Sequence, residues 1–180
     1  MADVHPFRGI QYNPSKIKEF SEVVAPPYDI ISPAEQENHY AKSPYNVIRL
    51  ILGKEFPTDT DTDNRYTRAA RFFKEWQETR VLTRDKEPSL YFYSQEFSVQ
   101  GRRFVREGFF ALVRLEEYEK GVIIPHERTL SGPKVDRLML MRSCQANFSP
   151  VFMLYADNSN DVMNRLKSGI TVIPLMVVLD

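Results

Sequence analysis

The chain has 180 residues, enough for one domain or most of one, with a core that needs neither disulfides nor metals. Its 24 basic and 24 acidic side chains cancel, which disfavours nucleic acid as a partner, because nucleic-acid binders usually carry a basic surplus. A single cysteine, Cys144, excludes an internal disulfide and fits a reducing cytoplasm. The first residues lack the apolar core of a signal peptide, and the longest apolar stretch, 170–179, is broken by Pro174 and too short to span a membrane.

Residues 5–33 are punctuated by Pro6, Pro14, Pro26, Pro27 and Pro33. Pro6 to Ile10 reads as a short extended piece. Val23 to Ile31 reads as a strand entering a tight turn, because each Pro removes a donor and biases its predecessor away from helix. Ser32 is a good N-cap, with Pro33 at the first helical position and Glu35 in the first turn, so a helix over 33–42 is expected. Val47 to Leu52 is a nearly continuous apolar run ended by Gly53, which predicts a buried strand. Residues 54–62 read as an exposed loop. The alternating Asp59, Asp61 and Asp63 resemble the start of a calcium loop, but the Gly and the closing Glu are missing. Asp63 is placed to cap a helix running to about Thr79, with Tyr66, Ala69, Ala70, Phe73 and Trp76 on one core-facing stripe.

Residues 90–115 then change to strand chemistry. Two runs flank Val99-Gln100-Gly101-Arg102, a hairpin tip, and Gly108 in the second run predicts a bulge or a close backbone approach. Arg102, Arg103 and Arg106 are the only tight basic cluster, and at a hairpin they read as solvated arginines. Val122 to Ile124 is a strand-like apolar run. A helix over 133–144 follows, with Cys144 on its apolar side as inert packing. A strand over Val151 to Tyr155 and a short helix over 160–167 complete the pattern. Helices mixed with one clear hairpin give the class α+β: a mixed, largely antiparallel sheet with flanking helices.

The densest chemistry lies between Ile124 and Arg137. His126 and Glu127 are the candidate catalytic pair, since a His near neutral pH moves protons and an acidic neighbour can set its tautomer. Neighbours in an extended segment point to opposite faces, however, which turns His126 toward Arg128 or a distant group. Arg128, Thr129, Lys134, Asp136 and Arg137 are the candidate ligand-binding residues. A helix start near Pro133 favours an anion, Lys134 adds a point charge and Arg128 a bidentate fork. In the bland alternative, these residues form local salt bridges and a solvated helix face. There is no Gly-rich phosphate loop and no nucleophile elbow. His5, His39 and His126 show no metal-ligand spacing, so no metal is assigned and no cofactor is named.

Pro6-Phe7-Arg8-Gly9, Ala25-Pro26-Pro27-Tyr28-Asp29, Asn46-Val47-Ile48-Arg49-Leu50, Arg65-Tyr66 with Ala69-Ala70 and Trp76, Pro125-His126-Glu127 with Thr129, Lys134-Val135-Asp136-Arg137-Leu138 and Asn147-Phe148-Ser149-Pro150 follow one another in order. Together they resemble a prokaryotic family known as DUF1015, over residues 6 to about 157. Family members look about twice as long. Their second half carries an Asp-Gly-His-His-Arg type motif similar to ParB-like and sulfiredoxin-like proteins, including nucleotide-using kinases of free serine. That motif is absent here, so its chemistry does not transfer to residues of this sequence. Residues 1–157 are thus expected to form the N-terminal part of such a domain. The apolar stretch within 158–180 reads as an atypical tail, truncated or frame-shifted.

The resemblance itself implies little about reaction; the first expectation is the N-terminal half of a cytoplasmic α+β protein that binds a phosphorylated small molecule or nucleotide, with His126, Glu127, Arg128 and Lys134 at its edge. The rival expectation is a non-catalytic binding or protein-interaction module. With a half missing, exposed apolar surface is expected to produce self-association and marginal stability.

Overall fold

A computed structural model describes residues 2–125 and 131–170. They fall into two compact units: residues 10–84 with 131–149, and residues 2–9 with 85–125 and 150–170.

In the first unit, local capping sets the helices. Ser32 caps α1 (Pro33–Lys42) as the sequence predicts, and Glu35 reaches back to the Ser32 amide to close a reciprocal capping box. Helix α3 (Arg65–Glu78) is capped by Asn64, whose side chain accepts from the Tyr66 and Thr67 amides, while Thr67 reaches back to the Asn64 amide. The expected cap, Asp63, stands one residue earlier and pairs instead with Arg71 at 2.8 Å. Ala69, Phe73 and Trp76 are buried on the expected stripe, with Tyr66 and Ala70 packed beside them.

The apolar run at Val47–Leu52 is not a strand. Ile48–Ile51 form a short helix, α2. The cause is Asn46, which is fully buried. Its amide donates to the carbonyls of Glu22 (2.7 Å) and Val24 (3.0 Å), and its side-chain oxygen accepts from the Ile48 amide (3.0 Å). A short buried apolar run fits either conformation, and this tertiary anchor decides for helix. The same anchor holds the Val23 segment, which makes no strand: 3-10 turns at Phe20–Glu22 and Tyr28–Ile30 bracket it.

β2 (Ile10–Tyr12) pairs antiparallel with β3 (Leu82–Arg84) beside α3. Trp76 is the centre of the core, with Tyr12, Tyr45 and Phe72 around it. Burial pushes the Tyr12 phenol upward, and it donates to the Tyr45 carbonyl at 2.7 Å. The last helix of this unit, α4 (Ser131–Cys144), begins two residues before the expected start and buries Leu140 and Cys144. Burial pushes the Cys144 thiol up to about 11, consistent with inert packing. Val135, Leu138 and Met139, expected on neighbouring turns, are exposed.

The second unit is built on the hairpin of β4 (Tyr91–Val99) and β5 (Arg102–Phe110), in unbroken antiparallel register from Tyr91 opposite Phe110 to Val99 opposite Arg102. Gln100 and Gly101, both at positive φ (50° and 75°), make the two-residue turn. Gly108 marks a close approach and not a bulge: a Cβ there would stand 2.7 Å from the Tyr93 ring across the ladder. β1 (Val4–His5) pairs with β6 (Leu112–Val113), and Phe7 bridges to Ser89. The Tyr91 hydroxyl accepts from the Gly9 amide at 2.7 Å and donates to Asp85 at 2.5 Å, which holds the Pro6–Gly9 segment in place. Helix α5 (Asp161–Ser168) matches its expected position, and Lys167 pairs with Glu107 at 2.7 Å.

The class is therefore α+β, but the expected mixed sheet is replaced, among the described residues, by three separate two-stranded antiparallel ladders. Two further expected strands are absent among the described residues. Gly121 to Ile123 bend after a 3-10 turn at Tyr118–Lys120, and residues 151–155 run without a ladder, with Leu154 84 % exposed. Pro125 and Pro150, at one end of each run, remove a backbone donor.

Replacing Asn46 by Ala leaves two part-buried carbonyls and one buried amide without these partners. The expected loss of stability is about 2–4 kcal/mol in urea unfolding. A loss below about 0.5 kcal/mol, within the range of a neutral surface change, would show that Asn46 does not anchor α2.

Candidate functional site

Of the residues singled out in the sequence, His126, Glu127, Arg128 and Thr129 lie outside the described residues. Lys134, Asp136 and Arg137 fall on the first two turns of α4, and the structure gives them different roles. Pro133 sits in the first turn, where its missing N–H costs nothing. Lys134 is exposed and has no side-chain partner among the described residues. Gly132 beside it faces open space.

Asp136 points the other way, onto the start of α3. One carboxylate oxygen accepts from Arg65 (2.5 Å) and from the Tyr66 hydroxyl (2.8 Å), and the other accepts from Arg137 Nε (2.7 Å). Arg65 also pairs with Glu55 at 2.7 Å. Arg137 donates to the Ile51 carbonyl at 2.9 Å, and its guanidinium lies 3.7 Å from the centre of the Tyr28 ring. Two cations thus face two anions, and the cluster is close to neutral. A recess beside it, lined by Leu50, Gly53, Arg65, Tyr66, Arg137 and Leu140, has room for about one water. Arg137 Nη1 is buried there without a protein partner. Such a recess cannot admit a nucleotide or a sugar phosphate. Its chemistry is that of a clasp: it fastens α4 to α3 and, through Ile51 and Tyr28, to α2 and the Tyr28–Ile30 turn.

The protonation equilibria follow from this geometry. Burial raises the Asp136 carboxyl, but hydrogen bonds from Tyr66 and Arg137 and the charges of Arg137 and Arg65 outweigh it, and the carboxyl is held below the usual Asp range. The Tyr66 hydroxyl is pushed up, first by burial and then by its carboxylate partner. Among the described residues, no group of His, Cys, Asp or Glu is arranged to hold a metal ion, and no helix is long and apolar enough to cross a membrane.

Nothing local in the sequence connects Arg65, Glu55 and Tyr28 to this site, and Tyr66 reads there as core alone. The hydroxyl of Tyr66 was the available signal, because a half-buried phenol needs a polar partner.

An α+β chain in which Tyr28, Arg65-Tyr66 and Asp136-Arg137, from three of the ordered motifs, meet in one ion-pair clasp is what the fold and site define. The chain belongs to a family described as protein of unknown function (DUF1015), whose model matches residues 4–176. No curated protein and no solved structure matched it.

Asp136→Asn removes the charge that three donors converge on. The expected loss is roughly 3 kcal/mol at neutral pH, the low end for breaking a buried pair. Because the folded carboxyl titrates below its unfolded value, this contribution is complete above the ordinary Asp range and disappears as pH falls through the folded-state value. The difference between wild type and variant should therefore be largest from neutral pH down to about 5 and shrink in acid below about 4. A difference independent of pH, measured by denaturant unfolding, would contradict the assignment.

Proposed function

We propose that this chain is the ligand-holding portion of a cytoplasmic DUF1015 protein that binds a phosphorylated small molecule or a nucleotide. Arg128, Thr129 and Lys134 meet the phosphate, His126 and Glu127 handle a proton beside it, and Asp136 and Arg137 hold the start of α4 at a fixed angle. The observation that carries this reading is Lys134: an exposed cation on the first turn of a 14-residue helix that is clasped to α3 through Asp136. A helix start adds free N–H groups and a partial positive charge to that cation. A second reading, a non-catalytic interaction module, is favoured by the hairpin, where Phe97, Val99, Phe104 and Val105 are exposed.

A thermal-shift panel of nucleotides and sugar phosphates tests the first reading. A phosphorylated compound should raise the melting temperature where its dephosphorylated counterpart does not. Lys134→Ala and Arg128→Ala should each weaken that ligand by about 1.5–3 kcal/mol, roughly tenfold or more. An unchanged melting temperature across the whole panel would favour the interaction module.

A further inference from the structure

One edge of β4 bonds to β5; the other makes no backbone hydrogen bond to any element among the described residues. In a hairpin with a two-residue turn, the pair flanking the turn exchanges hydrogen bonds, and the pattern alternates from there. Counting back from Val99, the amides and carbonyls of residues 99, 97, 95, 93 and 91 face β5. Those of Phe92, Ser94, Glu96 and Ser98 face outward. Ser89, which bonds Phe7 through both its amide and its carbonyl, continues the inward series.

Exposed edges are normally guarded by Lys, Pro or bulges against pairing with other chains. β4 has none of these, and Glu96 is its only charge. β5 carries Arg102, Arg103, Arg106 and Glu107. The distal part of the hairpin is also open on its aromatic face, where Phe97 and Phe104 stack at 5.8 Å and remain 39 % and 45 % exposed.

The β4 sequence matches itself in reverse. Laid antiparallel about Gln95, Ser94 of one copy opposes Glu96 of the other, and Phe92 opposes Ser98. On the alternate face, Tyr93 opposes Phe97 and Tyr91 opposes Val99. Every outward N–H and C=O meets its complement, the aromatic residues at 91, 93 and 97 meet aromatic or branched ones, and no like charges are directly opposed. The same operation on β5 about its midpoint would set Arg106 against Arg106. We propose that the outer edge of β4 is a self-association site, at which two copies of this chain join their hairpins antiparallel about Gln95 into one four-stranded sheet.

Sedimentation velocity on residues 1–180 over a concentration series tests this, with circular dichroism to verify the fold of each variant. A reversible dimer is expected. Ser94→Glu, which sets a carboxylate opposite Glu96 of the second copy at two symmetric places, should weaken it about tenfold, and Ser94→Lys at the same exposed position should tighten it. Gln95→Cys should form a disulfide-linked dimer under mild oxidation, because directly opposed residues of a non-hydrogen-bonded antiparallel pair lie within disulfide reach; Cys144 is buried and does not compete. A monomer at every concentration would overturn the proposal and leave the edge for a different polypeptide. So would a dimer indifferent to charge at position 94, with no Gln95→Cys cross-link.

Discussion

The Asp136 carboxylate is the constraint on which the helical unit depends. It is largely shielded from water and takes hydrogen bonds from Arg65, Tyr66 and Arg137, so it can stay charged only while α3 and α4 keep one relative placement. That placement brings Leu140 and Cys144 into the core formed by Phe73 and Trp76, and it lets Arg137 reach the Ile51 carbonyl and the Tyr28 ring. Buried ion pairs often contribute little net stability compared with a well-packed apolar substitute. The value of this one lies in orientation, since apolar side chains alone would allow α4 to slide or rotate by a fraction of a turn. The start of α4, and Lys134 on it, inherits its direction from the clasp.

The hairpin unit is held by other means. Tyr91 ties Gly9 and Asp85 together through one hydroxyl, and the Gly108–Tyr93 packing fixes the register near the base of the hairpin. Toward the tip, support thins out. Arg103 pairs with Glu96 and Arg106 bonds to Gln95, but these are exposed bonds of small net worth. An unguarded strand edge on such a hairpin is a specific surface feature, distinct from the charged helix start.

What was legible in the sequence followed from local rules. The Ser32 cap of α1, the stripe from Tyr66 to Trp76 and the Gln100–Gly101 turn each rest on residues a few positions apart. Where a distant group decided the outcome, local pattern failed. α2 looked like a strand because its determinant is Asn46 reaching back to Glu22 and Val24. The run at 151–155 has the composition of a strand but no strand beside it. The candidate site divided in the same way. Lys134 was legible as an exposed cation near a helix start. Asp136 and Arg137 looked like ligand groups because they were dense in sequence, whereas the main partners of Asp136, Arg65 and Tyr66, stand about 70 residues upstream.

A double-mutant cycle between Arg65→Met and Asp136→Leu, read by denaturant unfolding, tests most directly whether the clasp organises the helical unit. If it does, each single change leaves a shielded charge with a partner fewer and is destabilising, while the double variant, with an apolar pair in its place, loses less than the sum of the two. A coupling energy of at least about 1.5 kcal/mol is expected, within the range seen for residues sharing one network. Single losses that simply add in the double variant would contradict it and would leave α4 held by apolar packing alone.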